Sequence, residues 1–332
     1  MSRVIGVLML AATLWSGWWY IASSAAERGV HNWLALRQAE GWQAEAQGVT
    51  RSGYPVRLNL HVEGPVLADP ATGVALEMEH LDLSAPAWWP GDVTLDLPQT
   101  PIRMSSPDGP LTLQANAGQA TLNLHPGPSL QLEAMQATSA LWQITAPEGA
   151  LLSGSAFTAS MVQDTETAET YAFTVDATNL TPGAFLRAGL PTDWPSSFDT
   201  FTARMRVTFD TPWDRSALET RRPQPRKITI EEADIKWGAL RHRASGDLTI
   251  DASGVPEGSV SLQVENWRQA LDIAQDNGAL AADFRPQAET ILGMLSNMGG
   301  DPETLNMTLT FKGGSVAMGP IPLGPAPRII LR

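Results

Sequence analysis

From residue 54 to residue 311 of this 332-residue chain, apolar side chains recur at every second position in one short run after another. Val56, Leu58, Leu60 and Val62 alternate with Arg57, Asn59 and His61. Successive side chains of a strand point to opposite faces, so such a run is apolar on one side and polar on the other. Val74, Leu76 and Met78 repeat the pattern before the phase slips to Leu81 and Leu83, which predicts a β-bulge near His80. Further runs fall at Val93 to Leu97, Leu111 to Ala117, Leu122 to Leu124, Tyr171 to Val175 and Phe201 to Phe209. The second half adds Ile228 and Ile230, Leu248 and Ile250, Val260 to Val264, and Leu305 to Phe311. Between runs stand Pro70-Ala71-Thr72-Gly73, Pro90-Gly91, Pro107-Asp108-Gly109, Pro126-Gly127-Pro128, Ser253-Gly254 and Lys312-Gly313-Gly314, all of them turn chemistry. Closely spaced strands punctuated in this way predict a mainly β chain, a long curved antiparallel sheet with a minor α component, and not βαβ units.

Helical signals are few. Thr181-Pro182 predicts a cap and first-turn proline before Phe185 and Leu186, with Gly189 at the stop, and Thr211-Pro212 repeats the device before Trp213. Asn266, with Gln269 three positions on, caps a run ending at Asn277-Gly278. A last stripe of Ala288, Ile291, Leu292, Leu295 and Met298 stops at Gly299-Gly300.

The amino-terminal segment has a different solvent. From Val4 to Ala26 no residue is charged, and the stretch to Ala22 is long enough for a bilayer, which needs about 20 apolar residues. Trp18, Trp19 and Tyr20 stand where an interfacial aromatic belt would be. Ser24-Ala25-Ala26 resembles a cleavage site, so a signal peptide is the alternative to an anchor, and the length favours the anchor. Either form exports the rest of the chain, which in a bacterium means the periplasm. Val30, Trp33 and Leu34, closed by Gly41, predict a separate short amphipathic helix after the span.

These segments divide the chain into a signal anchor or signal peptide at 1–26, the first part of a β-rich periplasmic domain at 27–214, a basic proline-containing linker at 215–227, and a second part at 228–332. A helical insertion occupies 266–299 of that second part. One continuous curved sheet is favoured over two independent domains.

Charge and chemistry narrow the function. With 22 basic against 35 acidic residues and a net charge of -13, the chain lacks the basic face that nucleic-acid binding needs. The exception is Arg215, Arg221, Arg222, Arg226 and Lys227, read either as a contact for anionic lipid head groups or as a solvated linker. There is no cysteine, no G-x-S-x-G, H-E-x-x-H or S-x-x-K spacing and no P-loop. His31, His61, His80, His125 and His242 are scattered, so none forms a local metal-ligand pair, and solvent-facing or hydrogen-bonded roles account for them. Glu231, Glu232 and Asp234 would suit a cation or a charged strand edge. No catalytic residue, cofactor or metal is expected, and an enzyme would need a constellation assembled from distant positions.

Trp42 and Gly53-Tyr54-Pro55-Val56-Arg57-Leu58, after an amino-terminal span, resemble the entry of the bacterial family called domain of unknown function 2125. Leu83-x-Ala85-Pro86 with Trp88, Trp237 followed by Ser245 to Asp251, Gly254-x-Pro256-x-Gly258 and the tail Gly319 to Pro327 extend the resemblance over nearly the whole chain. The strand-turn grammar is also similar to that of AsmA-like envelope proteins. That similarity implies an inner-membrane anchor, a periplasmic body and a link to lipid traffic or outer-membrane assembly. It transfers no functional residue.

The physics points the same way, because twisted strands with one apolar face make a trough able to hold an acyl chain at about 0.8 kcal/mol per buried methylene. Leu58, Leu60, Leu76, Met78, Trp88, Trp89, Met205 and Val207 are the candidate lining. Three readings compete: a lipid-binding groove protein, an envelope module that uses its sheet to bind a protein partner, and a cryptic periplasmic hydrolase. Trp88 and Trp89 discriminate between the first two, since an open cleft favours a ligand and a flat patch favours a partner. The hydrolase would require His61 or His242 beside a carboxylate in a pocket.

Overall fold

The computed structural model describes residues 2–331 except 186, 189, 192, 193, 277, 279 and 320, and it leaves aside the side chains of Ser2 and Met298. The chain divides into two compact units, Met1–Pro147 and Glu148–Arg332. The basic segment 215–227 lies inside the second unit. Both units are antiparallel throughout, as the alternation predicts.

The first unit opens with α1 (Ser2–Ala39), followed by β1 (Gln43–Glu45), β2 (Gly48–Ser52), β3 (Arg57–Glu63), β4 (Val66–Asp69), β5 (Val74–Glu77) and β6 (His80–Pro86). Then come β7 (Asp92–Asp96), β8 (Ile102–Ser106), β9 (Gly109–Asn116), β10 (Gln119–Leu124) and β11 (Leu132–Ala146). The short strands are halves of longer ones. β9 and β10 pair in turn with one continuous partner, Leu113 opposite Ile144 and Leu122 opposite Met135 of β11. In the same way β3 and β4 face β6 and β5, and β2 and β1 face β3 and β4.

The unit is therefore a meander of six long strands creased along one row. Backbone bonds cross the crease, from Gln47 to Glu63, Gly64 to Glu79 and Leu97 to Gly118, and the Ser139 hydroxyl donates to the Asn116 carbonyl. Left-handed residues at Gly64 (φ 54°) and Ala117 (φ 49°) turn the chain there. The phase slip after Met78 belongs to this crease. No local bulge at His80 is needed, because Glu63 pairs with His80 and Val66 with Glu77 in one unbroken register.

Helix α1 is one element. The expected separate helix at Val30 to Gly41 is its last turns, because nothing between the span and Trp33 breaks it: no proline and one tolerated glycine, Gly29. Buried Ser23 and partly buried Ser16, Trp19, Ala26, Val30, Trp33 and Arg37 form a stripe at helical spacing, which packs over β1–β3.

The second unit is a sequential meander of β12 (Gly149–Gln163), β13 (Thr170–Pro182), β14 (Thr200–Phe209), β15 (Pro225–Trp237), β16 (Leu240–Ile250), β17 (Pro256–Glu265), β18 (Thr304–Lys312), β19 (Ser315–Met318) and β20 (Ile321–Pro325). Its core gathers Leu248, Ile250 and Val260 with Ile228, Ile230, Phe311 and Ile329. After Asp214, α2 (Ser216–Glu219) forms one turn. Between β17 and β18, α3 (Trp267–Asp276) and α4 (Arg285–Met298) make the expected helical insertion, with Trp267 buried and its indole bonded to the Pro302 carbonyl. Asn266 does stand before α3, in a left-handed conformation, and donates its amide to the Ala239 carbonyl. The expected helix at Thr181-Pro182 does not start there, since β13 runs through Pro182. Leu186 and Gly189, invoked for that helix, and Asn277 lie outside the described residues.

A partly buried ion pair holds β15 to β16. Asp234 takes a bidentate bond from Arg241, at 2.9 Å from Nε and 2.6 Å from Nη2. The Arg241 bonds outweigh burial and hold the Asp234 carboxyl below the usual range. A depressed acid pKa stabilises the fold above the unfolded value, near 3.9, and that contribution disappears as pH falls through the folded value. Asp234→Asn should therefore cost about 2 kcal/mol at neutral pH. Its urea midpoint should converge on that of the natural protein as the pH drops below the carboxylate range. An equal deficit at neutral and strongly acid pH would refute this assignment.

Candidate functional site

The apolar side of the first sheet can be followed across the strands in register. Arg51, Leu60, Leu83, Leu95, Ala120 and Ala137 form one cross-strand row of the half that ends in residues 53–56, 87–91 and 125–131. Val93, Leu122 and Met135 stand in the next row. What differs along these rows is cover. Under α1, Leu58, Leu60 and Val62 are 5%, 7% and 5% exposed. Beyond it Leu81, Leu83, Val93, Leu95 and Leu122 are only half-buried, and Met135 is exposed.

Two of the expected lining residues, Leu58 and Leu60, are consequently core beneath the helix. Leu76 and Met78 are half-buried at the crease. Met205 and Val207 belong to β14 of the second unit, where Val207 is buried. Trp88 is 64% exposed at the loop end, and Trp89 folds back over Gly91, in contact with it. Half-buried Leu81, Leu83, Val93, Leu95 and Leu122 extend the apolar surface instead. Their alternation is plain in the sequence, but their lack of cover is not.

The polar edge of the helix contact is specific. Arg51 of β2 reaches α1, pairing with Glu27 at 3.0 Å, bonding Ser24 and standing over the Tyr20 ring. Nearer the amino terminus, three indoles donate to carbonyls at the loop end of the sheet: Trp15 to Pro55 at 2.9 Å, Trp18 to Ala87 at 2.8 Å and Trp19 to Arg57 at 2.7 Å. The Tyr54 hydroxyl bonds Ser16 at 2.8 Å. These carbonyls lie where the ladder ends and would otherwise look to water for a partner.

Four of the five cations of the basic cluster meet three acids within the chain, so the segment keeps an excess of positive charge. Arg221 and Arg226 both bond Asp210, Arg215 pairs with Glu219, and Lys227 lies 3.9 Å from Asp247. Burial would push the Asp210 carboxyl up, but the Gln224 amide and the two arginines hold it below the usual range. Glu231 and Glu232 bulge from an interior strand, not an edge, and face Arg206 and Arg204, while Asp234 takes Arg241. Among the described residues no group of three or more acids and histidines is placed to hold a metal.

His61 does stand beside a carboxylate, Nδ1 to Asp82 Oδ1 at 2.6 Å, with the His80 ring stacked on it at 5.2 Å. Both partners are open to solvent on the polar face of β3 and β6. His242 is half-buried, and burial lowers its pKa. Two cavities, of about 650 Å³ along the crease and about 580 Å³ on β15–β18, are lined without either histidine.

A protein-family profile described as "Uncharacterized protein conserved in bacteria (DUF2125)" matches residues 18–327. No curated protein and no solved structure matches the chain.

Proposed function

The chain belongs to the bacterial DUF2125 family, and from that premise we propose that it is a non-enzymatic envelope protein held in the inner membrane by α1, with its body in the periplasm, that binds lipid or another hydrophobic ligand on the apolar face of its first sheet. The observation that carries this reading is the uncovered stretch of that face, where Leu83, Leu95, Leu122 and Met135 follow directly on helix-covered Leu60. Burying each methylene of an acyl chain there contributes about 0.8 kcal/mol.

The packing of α1 supports its retention as an anchor. The segment that cleavage after Ala26 would release carries buried Ser23 and the three indole bonds to the sheet. Mass spectrometry of organic extracts of the purified protein is expected to find phospholipid or fatty acid at near-stoichiometric amount. A reproducibly empty protein that also fails to take up a fluorescent lipid would favour the protein-partner reading, which the exposed Trp88 supports.

A further inference from the structure

We propose that the loop end of the first sheet, Gly53–Val56 together with Ala87–Trp89, enters the membrane beside α1, so that the apolar sheet face opens into the leaflet and not into water. This rests on the reading of α1 as a membrane anchor. Three observations carry it.

The first is a length mismatch. Arg3 marks one end of the uncharged segment, and residues 3–15 are exposed on every side of the helix. From Val4 to Leu14, at about 1.5 Å per residue, the freely exposed helix measures only about 16 Å, against about 30 Å of hydrocarbon. A span of about 20 residues from Val4 would end near Ser23. Yet the indoles of Trp15, Trp18 and Trp19 are already bonded to the carbonyls of Pro55, Ala87 and Arg57. If α1 crosses the bilayer, the backbone that these indoles hold must lie at the same depth, in the leaflet adjoining the body of the protein.

The second is the chemistry of that end. Tyr54, Val56 and Trp88 are 56%, 53% and 64% exposed, although they are large and apolar or aromatic. Such residues suit the headgroup boundary, where an aromatic body is buried and a polar tip stays wet.

The third is charge. Antiparallel register brings residues 53–56, 87–91 and 125–131 to one end of the sheet, and none of the three segments contains an acidic residue in a chain of net charge -13. At the opposite end the turn between β8 and β9 carries Asp108, and the acid nearest the loop end is Asp92, the first residue of β7. Loops without acids avoid repulsion by anionic head groups. Arg57, the first cation below the loop, is exposed at the depth where phosphates would be.

Helix α1 then fixes the posture. It passes from the loop end at Trp15 to the opposite end, where Gln38 donates to the Ala44 carbonyl, so the strands of this unit run alongside it and stand on end at the membrane. An acyl chain could move from the leaflet onto Leu83 and Leu95 without crossing water.

The chain has no cysteine, so single-cysteine variants report unique sites. Leu8→Cys in the helix, Val56→Cys and Trp88→Cys at the loop end, and Asp108→Cys at the far end would each carry an environment-sensitive fluorophore. The full-length protein would be reconstituted in vesicles of phosphatidylethanolamine with a minority of phosphatidylglycerol, doped with lipids spin-labelled at shallow or deep acyl positions. Labels at Val56 and Trp88 should be quenched severalfold more by the shallow spin label than the label at Asp108. Loop labels that behave like Asp108 while Leu8 is quenched would overturn the proposal and leave the anchor intact. An unquenched Leu8 label would overturn both.

Discussion

Leu60→Asp is expected to unfold the first unit, whereas Leu95→Asp, in the same cross-strand row, should leave it folded and empty of ligand. The row is Arg51, Leu60, Leu83, Leu95, and its residues differ in what lies above them. Leu60 is 7% exposed beneath α1, so an aspartate there must either ionise without a partner or force the helix off the sheet. The cost, about 4 kcal/mol or more, is a large part of the whole stability of a domain. Leu95 is half-buried, so a carboxylate at that position can turn to solvent, and the loss should stay near 1 kcal/mol. The same carboxylate puts a charge where an acyl chain would lie, and recovered lipid should fall by at least tenfold, which corresponds to about 1.4 kcal/mol. Urea unfolding and lipid stoichiometry, measured on both variants, decide the matter. If Leu95→Asp unfolds as readily as Leu60→Asp, the face is ordinary core; if it keeps its lipid, the ligand binds elsewhere.

Gly258→Ala is the second large effect and concerns stability alone. Gly258 of β17 pairs with Leu248 and with Phe311, at the centre of the second unit's core. Its φ of 137° is one that side chains rarely adopt, and a Cβ would press on the carbonyl oxygen of Asp247, which is backbone and cannot rotate away. Gly246, diagonally opposite, is in the same position relative to Ser259. The two glycines let β16 and β17 approach closely where Leu248 and Val260 fill the space above them. We expect Gly258→Ala to cost about 3 kcal/mol. Thermal unfolding of the full chain should show a lowered transition with the Asp234 pair still in place. A loss of only a few tenths of a kcal/mol would mean that the strands can separate there without strain.

Much of the fold is legible in the sequence. Alternation placed β3, β14, β17 and β18 because a half-covered strand has no other way to segregate its side chains. The crease was half visible: one phase slip, after Met78, is read correctly as an irregularity and wrongly as local. The same slip recurs between Ala115 and Leu122, and between Val62 and Leu67, and only pairing shows that the three stand in one row. The ion pairs of the basic cluster were not legible, because the acids Asp210 and Asp247 are brought to it by neighbouring chain segments. The Thr181-Pro182 signal failed because cap chemistry is weak, and strand pairing with Leu152 and Ser153 overrode it.

By itself the sequence determined the strands, their apolar faces and one helix able to cross a membrane, since those follow from periodicity and hydropathy, which are local properties. Tertiary structure alone decided which part of each face is covered. Membrane and protein core are both apolar solvents, so the composition of α1 does not distinguish its exposed apolar residues, which suit a bilayer, from the stripe that packs on β1–β3. The division falls at Trp15 to Trp19, because there the indoles meet carbonyls brought to the sheet's end by contacts as far as 69 residues away.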